Sequence, residues 1–242
     1  MLSRRQILVS AVSATIAAAG ETSSVRQEKL THLLLMPSES NPIANESALG
    51  FSRLLQSTGH SFEASNQLNS TGFRHIVLPG VRALSTGLAA RLHKSAAAGS
   101  WLIFESGLCF ASKRETEIQK GVLAEVFDIT IDGTRSTQRG GASARSYVHY
   151  RWPLPAMAPD FTEWAPIKYA DADAIAAFHN EVVAIRRRIG RGGIVFLGSP
   201  LGPGLFAADR ESQLIVQRML SIKTKSTEPM TGQGWQSSNS SV

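Results

Sequence analysis

Four short apolar runs constrain this chain more than any other feature: Leu33-Leu34-Leu35-Met36, Ile76-Val77-Leu78, Trp101-Leu102-Ile103-Phe104 and Ile194-Val195-Phe196-Leu197. Each stops at a breaker: Pro37, Pro79-Gly80, Ser106-Gly107 and Gly198-Ser199-Pro200. Runs without polar alternation suit strands covered on both faces, as in a parallel sheet. Helical repeats lie between them. Ala48, Phe51 and Leu55 share a face ahead of Gly59, and Leu84, Leu88 and Leu92 repeat between Ser85 and Gly99. Ile118, Val122 and Val126 form a third stripe, and Ile215, Met219 and Ile222 a fourth behind a capping Asp209. Strand alternating with helix predicts an α/β domain over 31–222, built on a doubly wound, mostly parallel sheet with right-handed crossovers.

The rhythm breaks at 133–146 (GTRSTQRGGASARS), an excursion of Gly, Ser, Thr and Arg without the Gly-Lys-Ser/Thr end of a phosphate loop. A β-rich part follows. Ala174–Phe178 and Val182–Ile189 read as strands joined by a His179-Asn180 turn, a C-terminal β-hairpin that Gly190-Arg191-Gly192-Gly193 leads into the last apolar run. On a strand Arg186 and Arg188 share one face and Arg187 takes the other. That division, with no interleaved stacking aromatics, speaks against nucleic acid and suggests an edge strand guarded by charge.

Both termini read as lying outside the core. Residues 1–19 carry Arg4-Arg5, an apolar stretch from Ile7, and a closing Ala17-Ala18-Ala19, the pattern of a cleaved export signal. Ser3-Arg4-Arg5-Gln6-Ile7-Leu8 resembles the twin-arginine signal, with Val9 where that signal often has Lys; an ordinary secretory leader is the other reading. Either implies an exported protein, periplasmic or envelope-associated, touching membrane only through an uncleaved signal. Residues 223–242 are rich in Ser, Thr, Gly and Gln, too polar to offset the entropy of ordering, and read as a disordered tail. The formal charge of +6 falls to about +4 without Arg4 and Arg5, which indicates solubility rather than a polyanion partner. With Cys109 the single cysteine, no internal disulfide can form. Histidines 32, 60, 75, 93, 149 and 179 lack metal-ligand spacing, so neither a metal nor another cofactor is expected; His32 and His75 each open a core strand, where neighbours should satisfy them.

Leu78-Pro79-Gly80, the segment AAGSWLIFESG (97–107) and the segment VVAIRRRIGRGGIVFLGSPLG (182–202) together resemble the class I glutamine amidotransferase-like superfamily, chiefly its non-catalytic branch. The resemblance implies a flavodoxin-like fold and a binding or assembly module of the cell envelope. Ligands of open parallel sheets sit beyond the strand carboxyl ends. That rule selects a rim of Glu39, Pro79, Gly80, Glu105, Ser106, Ser199 and Pro200, facing an unknown protein or small-molecule ligand. Active relatives use Gly-x-Cys-x-Gly with a later His-x-Glu. Gly107-Leu108-Cys109-Phe110-Ala111 and His179-Asn180-Glu181 follow that order, which implies as the alternative a thiol hydrolase or amidase using Cys109, His179 and Glu181. Against it, Cys109 lies past the bend after Phe104, and a turn between edge strands would hold His179 away from the carboxyl edge.

Overall fold

The computed structural model describes residues 31–37, 41–69, 71–136, 146–159, 163–168 and 172–222. The expected leader at 1–19, Glu39 and the expected tail at 223–242 lie outside the described residues.

In chain order the first half runs β1 (His32–Leu35), α1 (Pro42–Ser57), β2 (Phe62–Ser65), β3 (His75–Val81), α2 (Thr86–Ala97), β4 (Trp101–Ser106), a 3-10 turn (Leu108–Phe110) and α3 (Lys113–Phe127). Short strands follow: β5 (Thr130–Ile131), β6 (Arg135–Ser136), β7 (Tyr147–Tyr150), β8 (Ala156–Pro159), β9 (Glu163–Trp164) and β10 (Ile167–Lys168). The chain then makes β11 (Asp173–Phe178), β12 (Glu181–Ile189), β13 (Gly192–Leu197), α4 (Gly202–Phe206) and α5 (Arg210–Leu220).

Helix starts follow local chemistry. Asn41 Oδ1 accepts from the N–H groups of Ile43 and Ala44 at 3.0 and 3.1 Å, with Pro42 in the first turn of α1. Ser112 and Glu115 form a capping box on α3, and Asp209 accepts from Ser212 N–H at 2.8 Å on α5. The expected stripe on α3 is displaced: Gln119, Val122, Leu123 and Phe127 are buried, and Ile118 faces out.

One nine-stranded sheet has the order β2-β1-β3-β4-β13-β12-β11-β7-β8. The first five strands are parallel neighbours, whereas β13-β12, β12-β11, β11-β7 and β7-β8 are antiparallel. Two small antiparallel pairs, β5-β10 and β6-β9, bring the described pairings to four parallel and six antiparallel. This corrects the expected doubly wound, mostly parallel, flavodoxin-like sheet. The sheet is mixed because two-residue turns at His179-Asn180 and Gly190-Arg191 join β11, β12 and β13, and so tight a connection joins only antiparallel strands; β7 and β8 beyond them alternate between buried and exposed positions.

One core packs α2 and α3 against one face through Leu92, Val122, Phe104 and Phe196, and the other packs α1 and α5 through Phe51, Ile103, Val195 and Met219. β12 is not an edge strand, as its arginines had suggested; it lies between β13 and β11. Arg186 bonds Asp173 at 2.8 Å and lies over Trp152, Arg188 lies over Trp101, and Arg187 reaches Asp128 at 2.8 Å on the opposite face. These arginines tie strands to their neighbours.

Helices α1 and α4 touch backbone to backbone. A Cβ on Gly50 would meet Gly202 O at 2.6 Å and Phe206 N at 2.7 Å, atoms that cannot move aside cheaply. Gly50→Ala should therefore cost about 1–3 kcal/mol, the usual range for overpacking, read as a lower urea midpoint with an unchanged slope.

Candidate functional site

The carboxyl ends of β1, β3, β4 and β13 share one edge, and Glu105 governs its middle. This residue is next to last in β4 and has 0% exposure. Its Oε2 accepts from Gly80 N–H at 2.9 Å and its Oε1 from Gly202 N–H at 2.6 Å. Burial pushes the carboxyl above its usual range, while the Gly202 N–H, the Ser47 hydroxyl and the Gly80 N–H pull it back. A carboxyl with both oxygens committed to backbone braces the end of β3 against the start of α4.

The other proposed rim residues are also enclosed. Pro79, Gly80, Ser106, Ser199 and Pro200 are buried. Ser106 Oγ accepts from Leu108 N–H at 3.2 Å and so holds the 3-10 turn. These groups come together at one edge, as the rule for open sheets anticipates, yet they form its floor rather than an open rim.

Open space lies beside the brace. The chain leaves β1 through α1 to reach β2, whereas β3 adds on the other side of β1. Crossovers diverge at that point, and a cleft of about 100 Å³ opens there, lined by Leu35, Met36, Asn66, Pro79, Arg82 and Leu84 among others. Most of its wall is apolar, with Asn66 and Arg82 as polar lining groups. Arg82 Nη2 bonds both Glu115 oxygens, at 2.7 and 2.9 Å. Bonds from Ser112 first, and then Arg82, draw the Glu115 carboxyl down to about 2. The guanidinium is thus held in place by the same carboxylate that caps α3. The sequence marked Pro79 and Gly80, but Asn66 and Arg82 carried no motif; only the strand order β2-β1-β3 picks them out.

The Cys-His-Glu arrangement needs correction in two respects. First, the His179-Asn180 turn does not point away from the carboxyl edge. β12 runs antiparallel to β13 with Ala184 opposite Leu197, so β12 starts where β13 finishes. His179 and Asn180 take φ of 47° and 64°, the left-handed pair of a tight hairpin turn. Second, the groups are oriented for other partners. Cys109 Sγ faces the Gly198 carbonyl at 3.9 Å. The His179 ring packs on Trp164 and Phe178, with centroids 5.6 and 4.2 Å away. Glu181 accepts from Trp164 Nε1 at 2.6 Å and lies 3.5 Å from Arg135. The carboxylate that should stand behind an imidazole is turned to an indole. Cys109 also sits on a three-residue 3-10 turn, not at the start of a long helix that could stabilise a thiolate. Among the described residues no three His, Cys, Asp or Glu side chains converge as a metal site.

No family model matches the sequence, and no curated relative does. Solved structures of similar fold include a β-galactosidase from Bacillus circulans sp. alkalophilus, 16% identical with TM-score 0.57, covering 75% of this chain and 30% of that one. An exo-β-1,4-mannosidase from Opitutaceae bacterium strain TAV5 is 14% identical with TM-score 0.55, covering 78% of this chain and 34% of its own. A cytoplasmic protein from Salmonella typhimurium LT2 is 10% identical with TM-score 0.56, covering 78% and 98% respectively. The chain spans about a third of the length of the glycoside hydrolases it matches. These likenesses overturn the amidotransferase-like membership, and with it the envelope module and the thiol amidase derived from that membership. Two of these neighbours are glycoside hydrolases. At such identities the likeness concerns the fold alone.

Glu105→Ala would strand two buried N–H donors, each worth about 1–3 kcal/mol. The variant should lose about 2–4 kcal/mol of unfolding free energy, and exchange at the Gly80 and Gly202 amides should accelerate with it. Unchanged protection at both amides would show that the brace is not what holds the edge.

Proposed function

We propose that this chain is an accessory domain of glycoside metabolism that holds a small ligand in the cleft between β1 and β3 and hydrolyses nothing itself. The carrying observation is the cleft, an opening at the divergence of the crossovers, where open sheets take their ligands. Glu105 supports the non-hydrolytic part. Glycosidases work with two carboxyl groups flanking a substrate, whereas here the carboxyl in the middle of the edge is sealed in and spent on backbone. Its likeness in fold to about a third of each glycoside hydrolase favours a glycoside among possible ligands. The apolar wall of Leu35, Leu78, Leu84 and Leu88 suits an aryl or alkyl aglycone, with hydroxyl groups turned to Asn66 and Arg82. Export, read from Arg4 and Arg5, belongs to the same proposal.

Nitrophenyl β-galactoside and β-mannoside test binding and hydrolysis in parallel. At least one should raise the unfolding temperature saturably, by about 2.7 kcal/mol of stabilisation at a hundredfold excess over Kd, without release of nitrophenol. Leu84→Trp, which fills the cleft, should abolish the shift. Colour release, or no shift with either, would overturn the reading. For export, fractionation of cells expressing the full chain should place it outside the cytosol, and Arg4→Lys with Arg5→Lys should retain it inside.

A further inference from the structure

At the opposite edge, where the parallel strands begin, three histidines stand in a row. His32 opens β1 and His75 opens β3, directly opposite each other in register. His60 lies just before β2. His32 Nε2 meets His60 Nδ1 at 3.1 Å, and His32 Nδ1 meets His75 Nδ1 at 3.2 Å. The His32 and His75 rings stack with centroids 5.0 Å apart, and His60 sits edge-on to His32 at 4.6 Å. His32 is 2% exposed and His75 0%. Around them the backbone is laced: Thr31 and His32 N–H donate to Ser61 O, Arg74 and His75 N–H to Thr31 O, and Trp101 N–H to Arg74 O.

We propose that the His60–His32–His75 row is an acid-released latch, which keeps the amino edge of β1, β2 and β3 closed at neutral pH and loosens it in acid. The reason lies in proton counting. Each ring-to-ring link needs one protonated and one bare nitrogen, so neutral rings satisfy both links. One imidazolium can be wired into such a row, but two adjacent ones leave a link with two donors and no acceptor. The charged groups facing the row are of the wrong sign to help. Burial first, then His60 and Arg74, hold His32 down at about 4. Burial first, then His32, Arg74 and His60, hold His75 down at about 3, with the Ile222 backbone opposing. No carboxylate is among the groups that shift either ring.

The sign follows. Both folded values lie below the ordinary histidine value, so the unfolded chain binds more protons as pH falls below about 6.5. The contribution to stability is complete above that pH and disappears as pH drops toward the folded values. Opening should begin at β2, a four-residue strand at the sheet's edge that, among the described residues, pairs only with β1.

The test is amide exchange of the full chain, followed by mass spectrometry at pH 7.5 and at pH 4.5, with rates corrected for intrinsic pH dependence. Peptides covering 31–36, 60–66 and 74–78 should lose at least tenfold protection in acid, ahead of those covering 192–197. In His32→Asn with His75→Asn, which bonds without titrating, that acid-specific loss should fall below threefold. Because this variant carries the risk of misfolding, imidazole NMR of the unaltered protein provides a second measurement. Both buried rings should remain neutral down to pH 5. Titration of either near 6.5, or acid loosening that persists unchanged in the folded double variant, overturns the latch. Neither result bears on the cleft at the other edge.

Discussion

One carboxyl group and two backbone N–H groups hold the carboxyl edge of this sheet together. Glu105, next to last in β4, grips the segments on both flanks, through Gly80 near the end of β3 and Gly202 at the start of α4. The grip fixes more than two bonds. It draws α4 onto α1 closely enough that Gly50 and Gly202 cannot carry side chains without displacing backbone. It also fills the middle of the edge with protein, so the free volume lies to one side, between β1 and β3. A buried carboxyl is expensive to desolvate; here the cost is offset by donors that would otherwise be orphaned in the same interior.

Much of the frame was legible in the chain because the four apolar runs are buried on both faces and end in Pro or Gly. They form β1, β3, β4 and β13, neighbours in one sheet running the same way. Of the other half, the hairpin of β11 and β12 was legible from its His179-Asn180 turn. β8 was not, because four residues with one covered face match an amphipathic loop as well as a strand. The arginines of β12 resembled a solvent-facing edge, yet Arg186 bonds Asp173 across its own hairpin, and Arg187 and Arg188 lie against Asp128 and Trp101 from earlier in the chain. Ile118 illustrates a smaller failure: a four-residue spacing names a helix but not which of two adjacent stripes turns inward.

The site was legible only in part, for a similar reason. Pro79, Gly80, Glu105, Ser106, Ser199 and Pro200 could be named from strand ends, but whether a loop residue faces solvent or floor depends on what packs above it. The order Cys109, His179, Glu181 matched a catalytic pattern, while the bond from Trp164 to Glu181 depends on a strand that no motif announced. The histidines show the same limit from the other side. His32 and His75 stood out as strand openers, but their contact depends on the register of β1 against β3, which spacing does not encode.

The place of β13 in the sheet has a consequence for biogenesis. Its antiparallel partner β12 is adjacent in sequence, but its parallel partner β4 was made long before, and the bond from Glu105 to Gly202 closes across 97 positions. Vectorial synthesis therefore delivers β1 to β4 with one flank unpaired, while the meander that will cover it is still to come. Loop closure of that span is slow compared with local hairpin formation, and an open strand flank invites wrong pairing. The nascent chain is most vulnerable to aggregation at that stage, and a chaperone would have most to do before the last strand emerges from the ribosome.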